Sequence, residues 1–301
     1  MQVREGKAPS GELQIHYEDM GDPDHPAVLL IMGLGAQLLF WRDGFCRKLV
    51  DQGLRVIRFD NRDVGLSSYF DGHRPRGSRV GNMARSLLGR KSPSLYTLED
   101  MADDAAALLD HLDIDRAHVV GGSMGGMIAQ IFAARHAHRT HTLGVIFSSN
   151  NQPLLPPPGP QQLLAVITGP SPKAPREEII ENSIRVSRII GSPAYPATEE
   201  TLRADAVAFY ERAFNPHGIA RQFNAITGSG SLRKYNRQTT APTVVIHGKA
   251  DKLMRPSGGK AIAKAVPNSR LVLFDGMGHE LPEPLWDDIV GVLKSHFGAA
   301  T

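Results

Sequence analysis

The residue in the most suggestive chemical setting is a serine within a glycine-rich turn. Ser123 stands in the run Gly-Gly-Ser-Met-Gly-Gly of residues 121–126, directly after an apolar segment at 117–120. This pattern predicts a strand that turns into a helix within about one residue, with the serine in a strained backbone conformation. Only glycine fits at positions 121 and 125, because side chains two residues before and two residues after the serine would collide. The following helix would direct its positive end toward a developing negative charge.

Other roles of such a turn have to be weighed. Glycine-rich turns between a strand and a helix also bind phosphate groups, or serve only to pack tightly. A dinucleotide site would need G-x-G-x-x-G, which this turn lacks. We therefore interpret Ser123 as a nucleophile.

A serine hydroxyl is a weak nucleophile at neutral pH and needs a base within hydrogen-bond reach. The chain contains 12 histidines. His279 follows the last predicted strand in the loop 275–279, so we expect it at the sheet edge that carries Ser123. His247, which follows another strand, is the alternative base, but it lies too close in sequence to the predicted acid.

A carboxylate is also required, to hold the imidazole in one tautomer and to stabilise its charged form. Asp251 follows the predicted strand 243–246 and is our candidate. Asp275, four residues before His279, is the alternative acid. The chain order serine, aspartate, histidine favours Asp251.

Attack of a serine on a carbonyl group gives a tetrahedral intermediate, whose oxyanion needs two backbone N–H donors. Met124, immediately after the predicted nucleophile, would provide one of them. The loop 32–35 after an early strand would provide the other, and Leu34 is the predicted donor.

Strands and helices alternate over most of the chain, which predicts an α/β fold with a mainly parallel sheet covered by helices on both faces. The predicted strands are 13–17, 27–32, 54–59, 117–120, 143–147, 243–246 and 271–274. The predicted helices are 38–50, 97–112, 124–136, 257–265 and 286–297.

The alternation stops between residues 150 and 240. Five prolines between 153 and 160 open this region and argue against regular structure there. Helical patterns follow at 176–190, 198–214 and 217–226, without a strand pattern. We predict a core domain of residues 1–149 and 241–301, with a helical cap inserted at 150–240.

The composition of the chain limits which kinds of partner it can bind. The 301 residues include 34 basic and 31 acidic ones without a dense basic block, which argues against a nucleic-acid partner. Residues 74–90 are rich in arginine and are interpreted as a solvated loop. No apolar run reaches membrane-spanning length, and we expect no membrane partner. A single cysteine and a polar N-terminus favour the cytoplasm. The histidine spacing predicts no metal site, and the oligomeric state is left open.

In these motifs and their order the chain resembles the α/β-hydrolase superfamily. Residues 60–67 are also similar to its D-x-R-x-x-G-x-S loop, whose role is chiefly structural. The segments 32–33, 60–67 and 276–279 are most similar to the aclacinomycin methylesterase group. That resemblance implies hydrolysis of a small-molecule carboxylic ester without a cofactor. Met32 replaces a histidine that many relatives carry at the oxyanion loop.

Two alternatives remain open. The same three side chains could cleave another bond, in a lactone, a peptide, a carbon–carbon bond or a perhydrolysis reaction. A ligand receptor without catalytic activity could also retain them. Relatives that cleave carbon–halogen bonds or epoxides are disfavoured, because they carry aspartate where Ser123 stands.

Overall fold

The computed structural model describes residues 2–171 and 173–298 and contains one eight-stranded sheet. Its strands are β1 (Val3–Ser10), β2 (Leu13–Met20), β3 (Ala27–Ile31), β4 (Arg55–Phe59), β5 (Ala117–Gly122), β6 (Thr140–Ile146), β7 (Thr243–Gly248) and β8 (Arg270–Phe274). Their spatial order is β1-β2-β4-β3-β5-β6-β7-β8. β2 pairs antiparallel with β1 and β4, and every pair from β4 to β8 is parallel. The predicted α/β fold class is confirmed.

The described residues also form eleven α-helices, several of which cover the two faces of the sheet. They are α1 (Asp43–Val50), α2 (Arg79–Leu87), α3 (Leu98–His111), α4 (Met124–Arg135), α5 (Pro160–Ile167), α6 (Arg176–Ile190), α7 (Glu199–Arg212), α8 (Pro216–Ser229), α9 (Arg233–Gln238), α10 (Pro256–Ala265) and α11 (Trp286–Gly298). None of the helices in the described part of the chain is long and apolar enough to span a membrane.

The alternation of side chains along each strand builds a core on each face. Leu29 and Ile31 of β3 pack with the apolar residues of α3 and α4. Val28 and Leu30, which point the other way, pack with those of α1 and α11. β3 is buried at every position, as expected for a strand covered on both sides. The sheet edge that carries the site is therefore held rigidly.

The structure differs from the predictions at β1 and in the segment 38–50. β1 was not predicted, because its sequence is largely polar; it is an edge strand that pairs along its whole length with β2. The predicted helix 38–50 is interrupted, because Trp41 and Arg42 have non-helical backbone angles. The N–H of Leu38 donates to Asp60 Oδ1 at 2.8 Å, which holds the short turn before α1 in place.

The interpretation of residues 74–90 as a solvated loop was wrong. They contain α2, whose first turn is capped by the Ser78 hydroxyl, which accepts from the N–H of Gly81. Asn82, which is buried, donates to the Asn224 side chain of α8 and to the carbonyl of Arg76. These contacts stabilise the helix although most of its other residues are exposed.

Five helices, α5 to α9, connect β6 to β7, and no strand is found in residues 150–171 and 173–240. α5 was not predicted, since prolines precede it; Pro160 is at its start, where a missing N–H costs no intrahelical bond. α6 and α7 share a small apolar cluster of Ile180, Ile184 and Ala206. Residues of α8 and α9 instead join the main core.

Candidate active site

Ser123 lies in a tight turn between β5 and α4. Its backbone angles, φ 55° and ψ −121°, are unusual for a residue with a side chain and indicate strain. A Cβ at Gly121 would lie 2.2 Å from the carbonyl oxygen of Gly125, and one at Gly125 would lie 2.1 Å from that of Ile31. Backbone approaches this close leave room for glycine alone, so the Ser123 hydroxyl is presented above the sheet.

Three side chains from three loops form a hydrogen-bonded row. Ser123 Oγ lies 2.9 Å from His279 Nε2, and His279 Nδ1 lies 2.8 Å from Asp251 Oδ2. Asp251 and His279 are only 2% and 6% exposed, so water hardly competes for the bond between them. Ser123 is reached from a cavity. The row can transfer a proton from the hydroxyl to the imidazole while the carboxylate stabilises the resulting charge.

The Asp251 carboxylate is held as an anion. Its Oδ1 accepts from the N–H groups of Leu253 and Met254 at 2.8 and 2.9 Å. Burial by itself raises the pKa of Asp251, but the charges and hydrogen bonds of His279 and His247 outweigh it and hold the pKa below its usual value. Asp251 is therefore an acceptor for the imidazole N–H across the neutral pH range.

The two alternative residues occupy other positions. Asp275 is exposed and forms an ion pair with Lys249 at 2.8 Å. His247 is fully buried, and its Nε2 lies 2.5 Å from the carbonyl of Met254 and 3.5 Å from Asp251 Oδ2. His247 thus lies near the same carboxylate oxygen that bonds His279, whereas the ring that contacts Ser123 Oγ is that of His279.

The loop 32–37 lies beside the serine. A Cβ at Gly33 would meet the Ser123 Cβ at 2.9 Å, so this backbone passes directly over the hydroxyl. Among the described residues the N–H of Leu34 has no hydrogen-bond acceptor. Met124 is the first residue of α4, where an N–H has no partner within the helix. Both predicted oxyanion donors therefore lie next to Ser123 in the structure, with N–H groups that are open to a ligand.

This loop is anchored by three amide side chains whose individual contacts the sequence did not predict. Asn61 donates to the carbonyl of Met32 at 2.8 Å. Gln222, on α8, accepts from the N–H of Gly35 and donates to the carbonyl of Arg62, each at 2.8 Å. Gln37 donates to two carbonyls at the end of α7. Asn61 belongs to the loop 60–67, which the sequence indicated to be structural, whereas Gln37 and Gln222 lie in segments without a recognisable motif. The contacts of all three amides depend on the tertiary fold.

A cavity of about 300 Å³ opens onto Ser123 and His279. Its walls are mostly apolar, and five of the nine methionines in the chain line it: Met32, Met83, Met124, Met127 and Met254. A wider cavity of about 1110 Å³ lies next to it, between the loop 32–37 and helices α6 to α8. Leu34, Phe40 and Ile190 line both cavities. The site can therefore accept a substrate larger than a simple acetate ester.

One group among the described residues has the spacing of metal ligands. Glu5, His16 and Glu18 lie on β1 and β2. Arg58 already pairs with Glu18 at 2.5 Å, which neutralises one carboxylate of this group. Ser123, His279 and Asp251 are not part of this group, and their hydroxyl, imidazole and carboxylate are hydrogen-bonded to one another.

A sheet of this topology, with a serine turn after β5, an acid after β7 and a histidine after β8, defines a class of hydrolases. Residues 26–283 match the family described as alpha/beta hydrolase fold, and the chain belongs to that family.

Relatives of known activity are similar over nearly the whole chain. Rhodomycin D methylesterase DnrP from Streptomyces peucetius is 26% identical, with 96% of this chain and 97% of that protein covered. A 2-hydroxy-6-oxononadienedioate/2-hydroxy-6-oxononatrienedioate hydrolase from Paraburkholderia xenovorans is 27% identical, covering 93% and 88%. A hydrolase from Pseudomonas aeruginosa PA01 superimposes with a TM-score of 0.72 at 25% identity, covering 98% of both chains. The predicted resemblance to methylesterases of this superfamily is confirmed.

Proposed function

We propose that this protein is a serine carboxylesterase in which Ser123 is the nucleophile, His279 the general base and Asp251 the residue that orients the imidazole. The observation that carries the proposal is the continuous row Ser123 Oγ–His279 Nε2–Asp251 Oδ2, with bonds of 2.9 and 2.8 Å. The chain's membership of the α/β-hydrolase family and its methylesterase relatives support an ester as the substrate.

The reaction begins when His279 Nε2 takes the Ser123 proton as Oγ attacks the ester carbonyl carbon. The negative charge that develops on the carbonyl oxygen is stabilised by the N–H groups of Leu34 and Met124. Collapse of this intermediate breaks the bond to the alkoxy oxygen, which leaves as an alcohol with the proton from His279. Water then attacks the acyl-enzyme, gives its proton to His279 and releases the carboxylic acid, after which the proton returns to Ser123.

Ser123→Ala removes the nucleophile and is expected to abolish hydrolysis of p-nitrophenyl butyrate, with unfolding by urea unchanged. Ser257→Ala is the matched control, because Ser257 lines the same cavity but does not bond to His279. A fluorophosphonate probe should label the wild type and the control, and should not label Ser123→Ala. Wild-type turnover in Ser123→Ala would refute the proposal, and absence of labelling in a folded wild type would favour an inert ligand receptor.

The carbon–carbon hydrolase among the relatives suggests a second candidate, cleavage of a dioate. A dioate carries two carboxylates, which need cationic partners once they are buried. Among the described residues of the cavity at Ser123, Arg255 and His279 are the ones that can carry positive charge. Arg255 is exposed and its Nε donates to the carbonyl of Pro157. This favours a neutral ester. Comparing turnover of esters with and without a second carboxylate would separate the two candidates.

We also propose that residues 150–240 act as the cap that selects the substrate, over a core of residues 1–149 and 241–301. The support is that α6 to α8 line the wider cavity, and that α6 and α7 pack mainly on each other. Substitutions in the small cluster of α6 and α7 should then alter the preference for ester size more than the rate with a small ester.

A further inference from the structure

The outer face of α2 carries an exposed apolar stripe. Val80, Ala84, Leu87 and Leu88 recur at the spacing of one helical face, and all four are exposed. The exposed fractions are 64% for Val80, 37% for Leu87 and 70% for Leu88. An isolated exposed leucine needs no explanation, but a stripe on one helix face marks a contact surface.

The stripe continues onto the loop after β6. A Cβ at Gly89, just beyond α2, would lie 2.7 Å from the Pro153 side chain, so the two segments touch. Leu154, the next residue, is 88% exposed. We call this surface the mouth patch: Val80, Ala84, Leu87, Leu88 and Leu154.

Basic residues are frequent in the chain segment that carries most of the mouth patch. Residues 72–98 contain no aspartate or glutamate, and six lysines and arginines lie between 74 and 91. In the described part of the chain, five of these form no ion pair: Arg74, Arg76, Arg85, Arg90 and Lys91. Because exposed cations without ion pairs lie in the same segment as an apolar surface, the complementary partner combines apolar and anionic groups.

The mouth patch borders the reaction cavity through Leu87. Met83, Ser86 and Leu87 of α2 line the cavity that contains Ser123 and His279. Leu155, which follows Pro153 and Leu154 in the loop after β6, lines the same cavity. One side of α2 therefore faces the reaction cavity and the neighbouring side faces the exterior, with Leu87 at the boundary between them.

We propose that the mouth patch docks on a lipid surface that bears anionic headgroups. A helix with an apolar stripe in a basic segment lies flat in such an interface, where apolar burial and attraction to anionic lipid add together. A second copy of this chain fits less well, because a symmetric pairing would bring the two basic segments face to face. The prediction of no membrane partner was based on the lack of an apolar run of membrane-spanning length in the sequence, which does not bear on docking at a lipid surface.

Docking would place the cavity next to the lipid, so an ester dissolved in the bilayer could enter without crossing water. This consequence for substrate delivery rests on the proposed esterase function, whereas the docking itself does not. Binding is therefore measured in the Ser123→Ala background, where no lipid is hydrolysed. A failure of docking and a failure of the proposed esterase function then give different results.

The test is co-flotation with phosphatidylcholine vesicles that contain about 40% phosphatidylglycerol, compared with pure phosphatidylcholine. We expect binding to the anionic vesicles, and its loss at about 0.5 M NaCl, since salt screens exposed charges. Arg85→Glu/Arg90→Glu should weaken binding by at least about 30-fold, since each basic residue near such a surface contributes roughly fivefold. Val80→Ser/Leu88→Ser should weaken it at least about tenfold.

The matched control is Lys260→Glu/Lys264→Glu, which changes the net charge equally on an exposed face of α10. This control should bind within about twofold of the parent if the mouth patch is the contact. When Ser123 is restored in each variant, the protein should hydrolyse a soluble p-nitrophenyl ester at the parent rate. No binding to anionic vesicles, or equal weakening by both charge reversals, would overturn the proposal. A dimer in sedimentation that Val80→Ser/Leu88→Ser dissociates, without vesicle binding, would also overturn it and identify a self-association surface.

Discussion

The anchoring of the oxyanion loop by Gln222 can be tested by replacing this side chain with one of similar length that has no hydrogen-bonding groups. Gln222 is fully buried and joins α8 to the N–H of Gly35 and to the carbonyl of Arg62. Gln222→Met keeps most of the volume and leaves both backbone groups without partners. Each unsatisfied buried group costs about 1–3 kcal/mol, so the free energy of unfolding should fall by about 2–6 kcal/mol.

The kinetic effect follows from the position of the predicted donor. The N–H of Leu34 belongs to the residue next to Gly35, and loss of an oxyanion donor costs about 100- to 1000-fold in kcat. A donor that is displaced instead of removed should cost about 10- to 100-fold in kcat, with KM changed less than about twofold. The affinity for a boronic acid, which forms a tetrahedral adduct with the serine, should fall in parallel with kcat.

The measurements are urea unfolding, steady-state kinetics with a p-nitrophenyl ester and boronate inhibition. Gln130→Met is the control, because Gln130 is also a fully buried amide, with bonds to the carbonyls of Gly126 and Ser149 and to Asn236, away from the loop 32–37. It should lose comparable stability but less than about threefold in boronate affinity. If Gln222→Met is destabilised yet keeps its kcat and boronate affinity, the anchoring argument is wrong.

Two further predictions concern charge. Asp251→Asn should lower kcat by about three to four orders of magnitude, because the imidazole loses the partner that selects its tautomer. Asp275→Asn, at the exposed alternative acid, should change kcat less than about twofold in the same assay. Burial, together with the neighbouring His141 and His296, lowers the pKa of His118 from 6.5 to about 4. Between these two values the unfolded chain binds the proton more readily, so stability should fall as the pH falls through this window. His118→Gln should flatten that decline in urea titrations at several pH values, and the exposed His25→Gln should not; equal slopes in all three proteins would contradict the assignment to His118.

The buried strands and the serine turn were predictable because their signals are local. A continuous apolar run such as β3 indicates a strand that is buried on both faces. The glycines around Ser123 indicate a turn that is too tight for side chains. β1 and α2 were missed for the opposite reason, since their stability comes from pairing with β2 and from the contact between Asn82 and Asn224. The proximity of Asp251 to His279 could be anticipated, because each follows a predicted strand of a mainly parallel sheet. The role of Gln222 could not, because it requires three segments distant in sequence to meet.

The methionines that line the reaction cavity have a consequence for selectivity. A thioether side chain is unbranched and polarisable, so a wall built from Met32, Met83, Met124, Met127 and Met254 can adjust to acyl groups of different outline. Such a wall discriminates by total volume more than by exact shape. It also makes the enzyme sensitive to oxidants, because conversion of these sulfurs to sulfoxides would place polar groups where the carbon chain of an ester has to lie.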